Sequence, residues 1–223
     1  MKRRPFIFFD LDGTLTDPGE GITNSVAYAL ARFGIRVTDR KSLYPFIGPP
    51  LAESFRRFYG FSEEQAGEAV AVYREYFQDR GIFENKVYPG IPALLERLKA
   101  DGRVLVIATS KPEPFAVRIA EHYGLASYFT RVAGAAMDES RSRKAEVIRY
   151  AMGELGSPPP EEILMVGDRE HDVLGAAECG LDTLGVLYGY GDRAELERAG
   201  ARYFAATPEE AGALILDCPA PQI

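Results

Sequence analysis

Short continuous apolar runs punctuate the chain, and each stops at polar or acidic residues. Pro5–Phe9 (PFIFF) runs into Asp10, Val104–Ala108 (VLVIA) into Thr109 and Ser110, and Ile163–Val166 (ILMV) into Gly167 and Asp168. A run that is apolar at every position, not at alternate ones, marks a strand buried on both faces of a parallel sheet. Leu181–Leu187 reads as a weaker strand, and Arg131–Gly134 and Ala201–Ala205 as short ones. Apolar residues at helical spacing fill the gaps. They predict helices over Ile91–Lys99, Pro114–His122, Lys144–Glu154, Asp172–Cys179, Ala194–Arg198 and Pro208–Leu216. Strand alternating with helix implies an α/β fold, a parallel sheet with helices on both faces.

Residues 18–87 break this rhythm. They hold no convincing strand, and Ile22–Phe33, Pro50–Tyr59 and Ser62–Phe77 read as helices. Val70, Tyr73 and Phe77 form an apolar stripe that reads as core. A helical insert therefore interrupts the α/β core after its first strand, giving a core of 1–17 with 88–223 and an inserted domain of 18–87. Thr16–Pro18 and Tyr88–Gly90 are expected as the two connecting strands, and the tail Cys218–Ile223 is expected to fray.

Composition narrows the function classes. The chain has 223 residues, enough for a sizeable core, with 46% hydrophobic and 26% charged residues. Its formal charge is −7, from 33 acids against 26 bases, which argues against a nucleic acid polymer or an anionic membrane as the main partner. Two cysteines, Cys179 and Cys218, show no metal-ligand spacing and read as reduced thiols. The opening MKRRPFIFF begins like a signal peptide, but Asp10 cuts its apolar run short. No window approaches the length of a membrane span. The expectation is a cytoplasmic protein, monomer or homodimer, acting on a small molecule.

The candidate chemistry lies where the strands end. Parallel strands carry their C-terminal ends to one sheet edge, where ligands bind. Asp10, Asp12, Thr109, Ser110, Asp168 and Asp172 all map to that edge, and Lys144 opens a helix within the basic run RSRK. Residues two apart on a strand face the same way, so Asp10 and Asp12 can both point into a site, and Gly13 permits a sharp turn after them. Crowded carboxylates are intolerable without a cation. Hard oxygen donors suit Mg²⁺, which also binds phosphate. The set predicts a phosphoryl-transfer site. Asp10 can attack phosphorus and Asp12 can protonate the leaving oxygen, then deprotonate water. Lys144 and Thr109, with Ser110 beside it, can stabilise the spread charge of the transferring group.

These residues carry a family resemblance that extends over essentially the whole chain. DLDGT at Asp10–Thr14 resembles the first motif of the haloacid dehalogenase superfamily, Thr109 its second, Lys144 its third, and GDREHD at Gly167–Asp172 its fourth. The resemblance implies a Rossmann-like core and a helical cap inserted after the first strand. It also implies Mg²⁺ held by Asp10, the Asp12 backbone carbonyl and Asp168, with Asp172 in support. Within the superfamily the chain is most similar to the phosphoglycolate-phosphatase-like branch. Its second motif departs from the Thr-Asn-Lys frequent there, however, and reads Thr109-Ser110-Lys111. TSKP, GDREHD and GVLYGYG are closer to members that act as 5′-nucleotidases or broad phosphatases. Dehalogenases resemble the first motif without an acid at the position of Asp12.

The expected activity is a Mg²⁺-dependent phosphomonoesterase acting through an aspartyl-phosphate on a small phosphorylated metabolite, 2-phosphoglycolate or a nucleoside 5′-monophosphate. A phosphomutase with the same motifs and a phospho-aspartate switch are the alternatives. Several residues stay open at this point. Asp172 can instead complement a helix dipole, and Lys144 can be one solvated member of its charge run. Lys111 and Arg169 read as surface or supporting residues, and His171 as supporting. The loop Phe46–Pro50 (FIGPP) and Arg74 are candidates for substrate choice.

Overall fold

A computed structural model describes residues 3–138 and 140–216, so the predicted fraying of Cys218–Ile223 lies outside the described residues. The chain divides into two compact units. One comprises Met1–Leu15 with Val87–Ile223, the other Thr16–Lys86.

The larger unit is built on a six-stranded sheet in the order β5-β4-β1-β6-β7-β8. The strands are β1 (Phe6–Phe9), β4 (Val104–Pro112), β5 (Arg131–Ala135), β6 (Ile163–Gly167), β7 (Asp182–Val186) and β8 (Tyr203–Ala205). Every neighbouring pair in it is parallel. The apolar run at the start of the chain sits at its centre because β1 is flanked on both sides: Phe8 pairs with Val106 of β4 and with Met165 of β6. The chain works outward from β1 through β4 to β5, then returns to the other side of β1 for β6. That reversal opens a crevice at the C-terminal end of β1.

Helices cover the sheet: α4 (Ile91–Ala100), α5 (Glu113–His122), α6 (Lys144–Glu154), α7 (Glu170–Glu178), α8 (Arg193–Ala199) and α9 (Pro208–Leu216). Phe8, Val106 and Met165 bury themselves against Val147, Ile148 and Ala151 of α6 and Ala176 of α7. Phe9 points to the opposite face and meets Phe129 edge-on, ring centroids 6.2 Å apart. The basic start of the chain closes the N-terminal edge of the sheet. Buried Arg4 bonds the Glu161 carbonyl and the Asp182 carboxylate. Buried Arg103 in turn donates to the Arg4 carbonyl at 2.6 Å.

The smaller unit is helical: α1 (Gly19–Arg32), α2 (Leu51–Tyr59) and α3 (Glu63–Phe77), with 3₁₀ turns at Arg40–Phe46 and Gly81–Phe83. Helix α3 starts where a capping box fixes it, with Ser62 Oγ accepting from Gln65 N at 3.2 Å and Gln65 Oε1 from Ser62 N at 2.9 Å. The predicted Val70, Tyr73 and Phe77 stripe is buried. Among the described residues no helix is long and apolar enough to cross a membrane.

Two strands differ from expectation. The short ribbon partner of β2 (Thr16–Asp17) is β3 at Lys86–Val87, not Tyr88–Gly90. Pro89 has no N–H to donate, and Gly90 takes φ +90° to start α4. Strand β4 does not stop at Ala108 but continues through Pro112, because an irregularity between Ala108 and Pro112 lets it resume pairing with Ala135 of β5.

That resumed pairing needs Gly134. A Cβ there would lie 2.5 Å from Glu113 Cα and 2.7 Å from the Lys111 carbonyl oxygen, both backbone atoms that cannot yield cheaply. Gly134→Ala is expected to destabilise the protein by about 1–3 kcal/mol, read as a lower midpoint in urea denaturation. An unchanged midpoint would show that the end of β4 is free to shift.

Candidate active site

The site begins at the end of β1. Asp10 extends the ladder by one residue, its N–H donating to the Val166 carbonyl at 2.9 Å. Helix α6 then delivers Lys144 from its first residue. The Lys144 ammonium donates to Asp10 Oδ1 at 2.7 Å and to the Ala108 carbonyl at 3.0 Å, and lies 2.7 Å from Asp172 Oδ1. Lys144 is therefore no solvated member of a charge run: its side chain is 4% exposed. Burial disfavours its charge, but Asp10 and Asp172 outweigh that and hold the ammonium above its ordinary range.

The fourth motif supplies two more acids. Asp168 follows β6 and is fully buried, Oδ1 accepting from Thr14 Oγ1 at 3.2 Å and Oδ2 from the Tyr190 N–H at 2.7 Å. Gly13 makes room for it. With φ +85°, any Cβ on Gly13 would be strained and would lie 2.2 Å from Asp168 Oδ2. Asp172 serves both readings left open for it. Its Oδ2 accepts from Arg169 N at 3.1 Å and caps α7, while its Oδ1 faces Lys144.

Asp10, Asp168 and Asp172 each offer a carboxylate oxygen, and these atoms lie within 4.8 Å of one another. Burial, followed by the neighbouring carboxylates, pushes Asp168 well above the ordinary carboxylate range. Asp172 is pushed up by burial and by Asp10, against the pull of Lys144. One ammonium against three buried carboxylates leaves a net negative charge in a low-dielectric space. All-oxygen donors with charge left over fit a hard divalent cation.

The other predicted residues divide into two groups. Asp12 does not join the cluster: its Oδ2 accepts from the Lys111 ammonium at 2.5 Å. Burial raises the Asp12 carboxyl, offset in part by Lys111. Thr109, buried on β4, accepts from the Lys111 N–H at 3.2 Å, and Ser110 beside it is half-buried. Of the two readings of Lys111, surface or supporting, the surface one is corrected, since its side chain is 6% exposed and bonded to Asp12. Two-residue spacing carried the signal: Lys111 follows Thr109 as Asp12 follows Asp10. Arg169 is likewise no free surface charge, as it donates to Glu195 Oε1 at 2.8 Å and ties α7 to α8. Thr14 and the Tyr190 N–H, which orient Asp168, went unforeseen. A backbone donor leaves no trace in residue type. His171 is half-buried on α7. Asp17, the last acid of the opening run, accepts from Gly19 N at 3.1 Å at the head of α1.

A model of the haloacid dehalogenase-like hydrolases matches residues 7–186. The chain belongs to this family. It is 48% identical over 204 residues to a 5′-nucleotidase of Pseudomonas aeruginosa, covering 92% of each chain. It is 44% identical over 185 residues to the tyrosine-protein kinase PtkA of Mycobacterium tuberculosis, covering 83% of this chain and 62% of that protein. A solved predicted phosphatase from Clostridium acetobutylicum superposes with a TM-score of 0.94 at 49% identity, over 97% of this chain and all (100%) of that one. Family and relatives together make this hydrolase a phosphatase.

The raised carboxyls give the metal-free phosphatase a definite pH response. A carboxyl whose folded pKa is raised favours folding while protonated, and that contribution is lost as pH climbs above the ordinary carboxylate range towards the folded value. In EDTA the melting temperature is expected to fall as pH rises above the ordinary carboxylate range. Asp168→Asn, whose amide oxygen can accept from the Tyr190 N–H while its NH2 donates to Thr14 Oγ1 in a reversed bond, should flatten that fall and melt higher at the upper end. Parallel profiles for the two proteins would contradict the mutual repulsion of the acids.

Proposed function

We propose that the protein is a Mg²⁺-dependent phosphomonoesterase that works through an aspartyl-phosphate on Asp10, with nucleoside 5′-monophosphates as its leading substrate class. The observation that carries this is the separation of the acids: Asp10, Asp168 and Asp172 converge with Lys144, while Asp12 is held apart by Lys111. Asp10, Asp168 and, as the family resemblance implies, the Asp12 carbonyl would hold Mg²⁺, with Asp172 beside them. The cation would neutralise charge between carboxylate and phosphate oxygens.

The protein's own residues do the rest. Lys144 fixes Asp10 Oδ1, leaving the second oxygen of Asp10 to attack phosphorus. Thr109 Oγ1 already accepts from a backbone N–H, so its hydroxyl hydrogen is left to donate to a phosphoryl oxygen. Asp12 gives a proton to the leaving oxygen as its bond to phosphorus breaks. It then takes one from the water that displaces Asp10. The raised Asp12 carboxyl suits the first of these steps. The helical Thr16–Lys86 unit corresponds to the family's cap. Choice of the nucleotide class rests on the resemblance of the TSKP and GVLYGYG segments and on the 48% identical 5′-nucleotidase.

Phosphate release with Mg²⁺ across nucleoside 5′-monophosphates, 2-phosphoglycolate, sugar phosphates, phosphotyrosine and p-nitrophenyl phosphate tests this directly. Nucleotides are expected to lead; preference for 2-phosphoglycolate or phosphotyrosine would reassign the substrate and leave the chemistry standing. Asp10→Asn should lower turnover at least about a hundredfold while the protein stays folded, and activity near wild type would remove Asp10 as nucleophile. EDTA should silence the enzyme, and Ca²⁺, with its larger and looser coordination, should fail to restore it. Full activity with Ca²⁺ would overturn the choice of metal.

A further inference from the structure

The two oxygens of Asp12 are not equivalent. Oδ2 accepts the Lys111 ammonium at 2.5 Å, whereas Oδ1 is buried and, among the described residues, accepts no hydrogen bond. An oxygen already accepting from an ammonium is the poorer place for a proton, so a protonated Asp12 carries its hydrogen on Oδ1.

Lys111 reaches Asp12 from a fixed base. Its N–H donates to Thr109 Oγ1 at 3.2 Å. Its carbonyl presses on Gly134, where a Cβ would lie 2.7 Å away. Glu113, two residues on, accepts from the Gly134 N–H at 3.1 Å and from Arg141 Nη2 at 3.2 Å. Arg141 Nε in turn donates to the Gly134 carbonyl at 2.9 Å. The end of β4 is thereby clamped to β5, and the ammonium starts from a rigid backbone.

We propose that Lys111 is a positioning residue for the acid–base step: its ammonium occupies Oδ2 and turns Oδ1 towards the leaving oxygen and later the water. The proton leaves Oδ1 as the phosphorus–oxygen bond of the substrate breaks. It returns to Oδ1 from the water whose oxygen attacks phosphorus as the bond to Asp10 breaks. The inference rests on the reading of Asp12 as the acid and base.

The test is a series of aryl phosphates from phenyl to 2,4-dinitrophenyl phosphate, comparing kcat/KM for wild type, Asp12→Asn, Lys111→Met and Lys111→Arg. A poor leaving group needs the proton and dinitrophenolate does not. Asp12→Asn is expected to lose far more on phenyl phosphate than on the dinitrophenyl ester. Lys111→Met should show the same skew, losing on the order of 10–100-fold on phenyl phosphate and much less on the dinitrophenyl ester. Lys111→Arg, which can still donate to Oδ2, should recover part of the loss. Lys111→Leu, which likewise cannot donate to Oδ2, gives the same comparison should the methionine variant not fold. An equal loss on both esters for Lys111→Met, beside a skewed Asp12→Asn, would overturn the positioning role and leave Asp12 as acid. A uniform loss for Asp12→Asn would overturn the acid–base reading itself.

Discussion

One buried ammonium holds this site together. Lys144 bonds Asp10, faces Asp172 and donates to the Ala108 carbonyl just before Thr109, so a single charge ties the first, third and fourth motifs to the strand that carries the second. It does not balance the charge it meets. Three buried carboxylates around one cation are unfavourable in a low dielectric, and the strain shows as acids held above their ordinary range. The core tolerates this because the C-terminal sheet edge is fixed elsewhere, by apolar packing of Phe8, Val106 and Met165 and by the two arginines that close the opposite edge. Stability is laid down at one end of the strands and spent at the other.

Strand order makes the convergence possible. Asp10 and Lys144 are 134 positions apart, yet β1 lies between β4 and β6, and the helices that follow return their first residues to its end. The helix starts then add order. Asp172 caps α7 with one oxygen and faces Lys144 with the other, so the turn that starts the helix also aims the acid. Asp168 is held by a hydroxyl on one side and a backbone N–H on the other, which leaves its carboxylate little freedom to turn.

Asp10 and Asp12 are alike in type and two residues apart, but their surroundings separate them. Asp10 shares the Lys144 ammonium with Asp172, whereas Asp12 has an ammonium from a different strand and a buried oxygen that no described residue hydrogen-bonds. In the proposed reaction this is the difference between a carboxylate that attacks and a carboxyl that trades protons. The contrast comes from β4 continuing past Ala108, which carries Lys111 to the site.

The sequence by itself determined the sheet, because uninterrupted apolar runs such as PFIFF and VLVIA have one favourable fate, burial on both faces. It also determined which acids end those strands, and the spacing of four motifs identified the family. Tertiary structure decided the partners. Lys111 stayed open between surface charge and supporting residue because nothing local distinguishes a lysine that snorkels into solvent from one that meets an acid 99 positions away. The Tyr190 N–H that orients Asp168 belongs to every residue type but proline. Charge pairing and backbone donation depend on distances through space, and those are set only when the strands have taken their order.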